Sequence, residues 1–94
     1  MPNCTLLVPR CPYETRLLRA LLDKPHSRLE LDQSIGTVNS PEYVRRFRRR
    51  GLNIVMRRVT GLNRDGKPIW WGIYHIDDAD KGRVLDALGG ATNG

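Results

Sequence analysis

Cysteine, aromatic residues and long apolar runs are all scarce in this chain of 94 residues. Its two cysteines, Cys4 and Cys11, cannot build the disulfide framework on which many small secreted domains depend. No apolar segment approaches the roughly 20 residues that cross a bilayer, and the first residues lack the pattern of a signal peptide. We therefore expect a cytoplasmic protein that has no membrane partner and keeps its cysteines reduced.

Residues that bind metals or carry out catalysis are also few. The chain has two histidines, His26 and His75, and its cysteines, Cys4 and Cys11, are separated by six residues. Zinc sites use a closer spacing, of roughly two to four intervening residues. No acid, nucleophile or glycine-rich phosphate loop is arranged near either histidine. The sequence therefore predicts no metal, no cofactor, no small-molecule substrate and no enzymatic activity.

Negative charge is in short supply relative to positive charge. Sixteen Lys and Arg residues stand against ten Asp and Glu residues, giving a formal net charge of +6, and thirteen of the sixteen are Arg. This balance favours a polyanionic partner, and the planar fork of the arginine side chain suits phosphate and guanine. A genome rich in G and C would produce the same arginine excess, so composition alone does not identify the partner.

The distribution of proline and glycine divides the chain into one folded domain and two short ends. Three prolines interrupt residues 1–12, which predicts a flexible or extended segment, and the glycines of 89–94 predict a flexible tail. A single domain over 13–88 remains, since a chain of this length has room for one small core.

Two helices are predicted in the first third of the chain. Leucines recur at helical spacing over 13–23, as in a core-facing helix. Ser27 and Glu30 have the spacing of a capping box, which starts a second helix that Gly36 can end. An extended strand over 28–31 is the alternative interpretation of this second segment.

The third predicted helix carries five arginines and one glutamate in ten residues, 41–50. Ser40 suits the N-cap position and Gly51 suits the end of the helix. Val44 and Phe47 fall on one side of the helix, while most of the arginines crowd the other sides. Solvated helices usually mix acids and bases for mutual pairing, so this composition favours a polyanionic partner over a simple solvated face.

The second half of the chain predicts a β-hairpin and a short helix. Residues 53–60 and 69–76 are rich in β-branched and apolar residues, as strands are. The Asp65-Gly66 pair between them is a strong hairpin signal, so the strands should pair antiparallel around a tip over 61–68. A last helix is expected over 79–88, after a group of acids that suits a helix N-terminus.

This order of elements predicts an α+β fold of the winged helix-turn-helix type. The second and third helices, joined by a tight connection, have the form of a helix-turn-helix. The full arrangement would be a three-helix bundle, a two-stranded hairpin that serves as the wing, and a short C-terminal helix.

Five short motifs occur in a characteristic order between residues 29 and 74. They are Leu31-Asp32, Asn39-Ser40-Pro41, Arg48-Arg49-Arg50-Gly51-Leu52, Asp65-Gly66 and Gly72-Ile73-Tyr74. In this order they resemble the small winged helix-turn-helix DNA-binding proteins of bacterial prophages and plasmids. The resemblance implies a regulatory or accessory role on double-stranded DNA, with the protein associated with the nucleoid.

Candidate DNA contacts lie on the outward side of the third helix. Arg45, Arg46 and Arg49 are expected to reach base edges in the major groove, because arginine can bind guanine O6 and N7 with two hydrogen bonds. Glu42 could accept a hydrogen bond from a cytosine amine. Asn39 could contact phosphate or simply cap the helix. Ser40 is interpreted first as the helix cap and is kept as a candidate phosphate contact.

Further candidates lie on the flanks of the helix and on the hairpin. Arg48 and Arg50 can each bind a phosphate or pair with an acid such as Glu30 or Asp32. Arg57 and Arg58 point to opposite faces of their strand, so at most one can join the same surface. The predicted DNA-binding set is Asn39, Ser40, Glu42, Arg45, Arg46, Arg49, Arg50, Arg64 and Lys67.

Trp70 and Trp71 also point to opposite faces of a strand, so we expect one of them to be exposed. The exposed indole could stack on a base or join a second copy of the chain, which leaves a homodimer open. Two other functions compete with sequence-specific binding. The domain could be a winged-helix module for protein or RNA partners, or an architectural protein that binds DNA without base preference.

Overall fold

The computed structural model describes residues 4–92 of the chain and shows an α+β fold. Four α-helices and a three-stranded antiparallel sheet are present in this part, so the predicted fold class is confirmed at this level. The elements are α1 (Pro12–Asp23), β1 (His26–Ser27), α2 (Arg28–Ile35), α3 (Ser40–Arg49), β2 (Ile54–Leu62), β3 (Pro68–Ile76) and α4 (Lys81–Thr92). Short 3-10 helices cover Cys4–Leu7 and Asp78–Asp80.

The helix α1 packs its leucine stripe into the core, as the periodicity predicts. Leu17, Leu18 and Leu21 are buried, and Glu14 is buried on the same side of the helix. An acid in that position needs a partner, because burying an unpaired carboxylate costs several kcal/mol, of order 3–5. That partner belongs to the candidate site described below.

The helix α2 begins with the predicted capping box. The Ser27 hydroxyl accepts from the backbone N–H of Glu30, and the Glu30 carboxylate accepts from the backbone N–H of Ser27. Gly36 follows the helix at a φ of 79°, a left-handed conformation that glycine adopts without strain. The alternative of a strand over 28–31 is wrong, although Ser27 and His26 just before it form the two-residue strand β1, which sequence reasoning missed.

The helix α3 begins one residue earlier than predicted. Asn39 occupies the N-cap position, and Ser40 is the first helical residue, so the assignment of Ser40 as the cap is wrong. The Ser40 N–H donates instead to Asp32 Oδ1 on α2, at 2.9 Å. A tertiary contact therefore satisfies the N–H of Ser40, one of the first N–H groups of the helix, which have no acceptor within the helix itself. Val44 and Phe47 are buried, as predicted.

The hairpin is present and is slightly longer than predicted. β2 and β3 pair antiparallel from Ile54 opposite Ile76 to Leu62 opposite Pro68, and β1 adds two residues on the outer edge of β3. At the tip, the side-chain carbonyl of Asn63 accepts from the backbone N–H groups of Asp65 and Lys67. Gly66 has a φ of 75°, which fits the predicted Asp-Gly turn.

Both ends of the domain differ from the predicted extended and flexible segments. Residues 4–7 form a 3-10 helix instead of an extended segment, and Leu7 is completely buried in the core beside α4. The helix α4 continues to Thr92, so a tail beginning at residue 89 is wrong for 89–92. Residues 1–3 and 93–94 lie outside the described part. Within residues 4–92, no helix combines the length and the apolar character that a membrane span requires.

Candidate nucleic-acid interface

The helix α3 is held in the core by its buried side chains, and its first residue is hydrogen-bonded to α2. Phe47 and Val44 anchor it in the core, and Asp32 binds the N–H of Ser40. The Ser40 hydroxyl also lies 3.4 Å from the carbonyl oxygen of Arg28, to which it donates. Ser40 is completely buried, so this predicted contact residue lies inside the protein and helps to set the angle between α2 and α3.

Glu42 holds two of the arginines of α3 on the exposed surface. Its Oε1 accepts from Arg45 Nη2 at 2.6 Å, and its Oε2 accepts from Arg46 Nε at 3.2 Å. These hydrogen bonds, with Arg45 the larger cause, hold the pKa of Glu42 below its ordinary value, and the bond to Glu42 raises the pKa of Arg46. Both oxygens of Glu42 are therefore engaged within the helix, each by one arginine.

Glu14 holds the inner side of the same helix. Its Oε1 accepts from Arg50 Nη1 at 2.8 Å and from the backbone N–H of Arg10 at 3.0 Å, while its Oε2 lies 3.7 Å from Arg46 Nη1. The side chains of Glu14 and Arg50 are only 3% and 10% exposed. Arg50 also lies over the ring of Phe47. The structure thus places Arg50 in a buried ion pair with an acid that sequence reasoning did not consider.

Arg48 fastens α3 to the base of the hairpin. Its Nε and Nη2 both donate to the carbonyl oxygen of Ile54, at 3.0 and 2.8 Å, and its guanidinium lies 5.9 Å from the ring centre of Tyr74. The two options predicted for Arg48 were a phosphate and an acid. The observed partner is a backbone oxygen at the start of β2, which joins the helix to the hairpin.

Arg49 differs from the other arginines of α3. It is exposed, and within residues 4–92 its side chain makes no hydrogen bond or ion pair. Its guanidinium keeps its full hydrogen-bonding capacity for a partner from outside.

Two grooves run along opposite flanks of α3. The groove towards the hairpin, here called the hairpin-side groove, is lined by Asn39, Pro41, Glu42, Val44, Arg45, Arg48 and Tyr74. The groove towards α1, here called the α1-side groove, is lined by Arg10, Cys11, Glu14, Arg46, Arg49 and Arg50. Asn39 is exposed and makes no capping bond, so its amide is available in the first groove. The exposed arginines of α3 therefore lie between the hairpin-side groove and the α1-side groove, and both grooves carry positive charge.

One face of the hairpin continues the hairpin-side groove. Tyr74 lies in that groove, and alternate residues from it along the strands share its face. Arg58 and Trp70 lie further out on this face, with the Arg58 guanidinium 4.2 Å from the Trp70 ring centre, as in a cation–π pair. The sequence indicated that only one of Arg57 and Arg58 could face the same surface as α3. In the structure that residue is Arg58.

The opposite face of the hairpin is mostly apolar and carries Trp71. The indoles of Trp70 and Trp71 are 56% and 38% exposed, so the exposure expected for one of them is found in both. The Trp71 indole lies close to Gly61, where an added Cβ would be 3.0 Å from the ring. Val55 and Ile69, also exposed, share this face.

The tip of the hairpin lies well away from α3. Arg64 and Lys67 are both exposed there, as predicted for tip residues. Pro68 and Tyr74 are six positions apart along β3, which corresponds to about 20 Å of extended strand. The structure therefore does not bring Arg64 and Lys67 into contact with the arginines of α3, but places them at the end of an arm that starts beside that helix.

Metal-binding residues do not cluster in the described part of the chain. Among residues 4–92, no group of three or more His, Cys, Asp and Glu side chains could hold an ion. His26 is buried, with its Nδ1 2.7 Å from the carbonyl oxygen of Lys24.

Comparison with known proteins adds no relative. No protein-family model matches the chain, and neither a curated protein nor a solved structure matches it significantly. The function therefore has to be argued from the arrangement of the side chains.

Proposed function

We propose that the protein is a winged helix-turn-helix that binds double-stranded DNA with base preference, with α3 in the major groove and the hairpin as the wing. The observation that carries this proposal is the position of α3. Its exposed arginines lie between two positively charged grooves, and one of these continues onto the hairpin. A major groove, about 12 Å wide, admits one helix and is bordered by a phosphate backbone on each side.

The order of the elements supports the same proposal. α2 and α3 are joined by a short turn that Asp32 stabilises, and the hairpin follows α3 directly, tied to it by Arg48. Together with the resemblance to prophage and plasmid proteins, this favours a regulator or accessory factor that works on the nucleoid. The net charge of +6 would draw the protein to DNA before any base is contacted.

The hairpin tip should contribute affinity without base preference. Replacing Lys67 by alanine is expected to weaken binding to all duplexes alike and to lower the salt slope by about one unit, because one phosphate contact is lost. The measurement is fluorescence anisotropy with labelled duplexes at several salt concentrations. Arg57→Ala is the matched control, since it removes the same charge from the other face of the hairpin. Identical losses in both variants would exclude a specific role for the tip.

Glu42 is expected to limit non-specific binding. Its carboxylate is ionised in the neutral range, as for any glutamate, and the hydrogen bonds from Arg45 and Arg46 lower its pKa further. Glu42→Gln should therefore release both arginines, raise the affinity for random duplexes and steepen the salt slope by about one unit. Asp78→Asn is the control, since Asp78 is an exposed acid paired with Lys81 away from α3. Equal behaviour of the two variants would show that only net charge matters.

A further inference from the structure

We propose that the α1-side groove binds a phosphodiester group of the DNA strand that borders the major groove on the side away from the hairpin, with Arg10 and Arg49 as its direct ligands. This inference rests on the proposed function. It adds a contact from outside α3 and the hairpin, and it gives α1 a part in positioning the duplex.

The first support is that both ligands are free. Arg10 and Arg49 are exposed and line the same groove. The Arg10 side chain, like that of Arg49, makes no hydrogen bond or ion pair with any residue of the described part. Two unpaired guanidinium groups that line one groove can together hold an anion, each with a pair of parallel N–H donors.

The second support is the way in which the floor of the groove is built. Arg46 and Arg50 line it from α3, and both are held by the buried carboxylate of Glu14. Four arginines surround one carboxylate, so the groove keeps an excess of positive charge. Glu14 cannot reach a ligand, because its side chain is 3% exposed and both oxygens face protein cations or donors. Glu14 therefore holds Arg46 and Arg50 in place and leaves the groove accessible to an anion.

The third support is geometric. Arg45 and Asn39 line the other flank of α3, in the hairpin-side groove. A helix lying in the major groove has one phosphate backbone on each side of it. A cationic groove on each flank meets that requirement, whereas an acidic peptide would need only one of them. Contacts to both strands would also fix how deeply and at what angle the helix enters.

The principal test is the Arg10→Ala variant, measured by anisotropy against selected and random duplexes. The variant should fold normally, because the contact of Arg10 with Glu14 comes from its backbone N–H. Affinity is expected to fall about fivefold at physiological salt for every sequence, with the salt slope lower by about 0.9 and base preference unchanged. Arg57→Ala, on the far face of the hairpin, should leave all three quantities unchanged. Wild-type affinity in Arg10→Ala would overturn the inference while leaving the proposed function intact.

A second measurement separates the groove from DNA binding. The side-chain Nε–H resonances of Arg10 and Arg49 are followed by NMR while inorganic phosphate is added to the free protein. We expect both to shift at millimolar phosphate, and Arg57 to stay in place. Resonances that do not move would overturn the inference whatever the DNA results. A wild-type protein that shows the shifts but binds no duplex would overturn the proposed function and, with it, the assignment of the phosphate to DNA.

Discussion

Alanine at both Arg45 and Arg49 is expected to abolish base preference. Each arginine that binds a guanine edge contributes about 1–3 kcal/mol of discrimination, so the pair should cost about 2–6 kcal/mol on a preferred duplex. Arg49 is chosen because its side chain has no partner in residues 4–92, and Arg45 because it is 63% exposed and held only by Glu42. Arg46 is a poorer choice, since it also faces Glu14 and its loss would disturb the buried network.

The measurement is competition between a preferred duplex and random duplexes, with a control that removes the same charge elsewhere. The Arg57→Ala and Lys67→Ala double variant also loses two positive charges, and it should weaken both kinds of duplex while keeping their ratio. The Arg45 and Arg49 variant should bring the ratio close to one. If the two double variants behaved alike, α3 would be a source of charge and would not distinguish bases.

Glu14→Ala is expected to destabilise the fold by about 3–5 kcal/mol. The substitution leaves the Arg50 guanidinium, 10% exposed, without its partner, and a buried unpaired charge costs that much. This is a large share of the 5–15 kcal/mol that typically stabilises a small domain. The free energy of unfolding would be measured by urea titration, with Glu14→Gln as a milder variant if Glu14→Ala does not fold.

A double-mutant cycle identifies the cause of the loss. Adding Arg50→Met to Glu14→Ala removes both charges and should recover much of the stability, because a buried ion pair can be replaced by apolar groups at little cost. If Glu14→Ala lowered the free energy of unfolding by less than about 1 kcal/mol, the Arg50 side chain would have turned to solvent. That result would contradict a stabilising role for the ion pair between Glu14 and Arg50.

The parts of the fold that were predicted correctly depend on neighbours in sequence. The capping box of Ser27 and Glu30, the left-handed Gly36 and the Asp-Gly turn are all local, so a single sequence is enough to indicate them. The start of α3 was misplaced by one residue because Asp32, eight positions earlier, supplies the acceptor for Ser40. Leu7 was assigned to an extended segment because nothing local shows that α4 covers it.

In the candidate site, too, the features set by nearby residues were predicted and those set by distant residues were not. The helical periodicity of α3 correctly separated its buried residues from its outward arginines, but it could not show which arginines have protein partners. The partner of Arg50 is Glu14, 36 positions away. A signal was present, since Glu14 falls in the stripe of Leu17, Leu18 and Leu21, and an acid in an apolar stripe indicates a buried cation. Arg10 carried no such signal.

The most direct test of the proposed function is selection from random duplex oligonucleotides with the purified protein at physiological salt. Non-specific attraction fades under these conditions, whereas contacts to bases persist. We predict enrichment of a short motif containing guanine, which the Arg45 and Arg49 double variant fails to recover. Two inverted copies of the motif would show that a homodimer binds, and a single copy would show one chain. No enrichment, with binding that disappears as salt rises, would contradict base-specific recognition and leave an architectural DNA-binding protein.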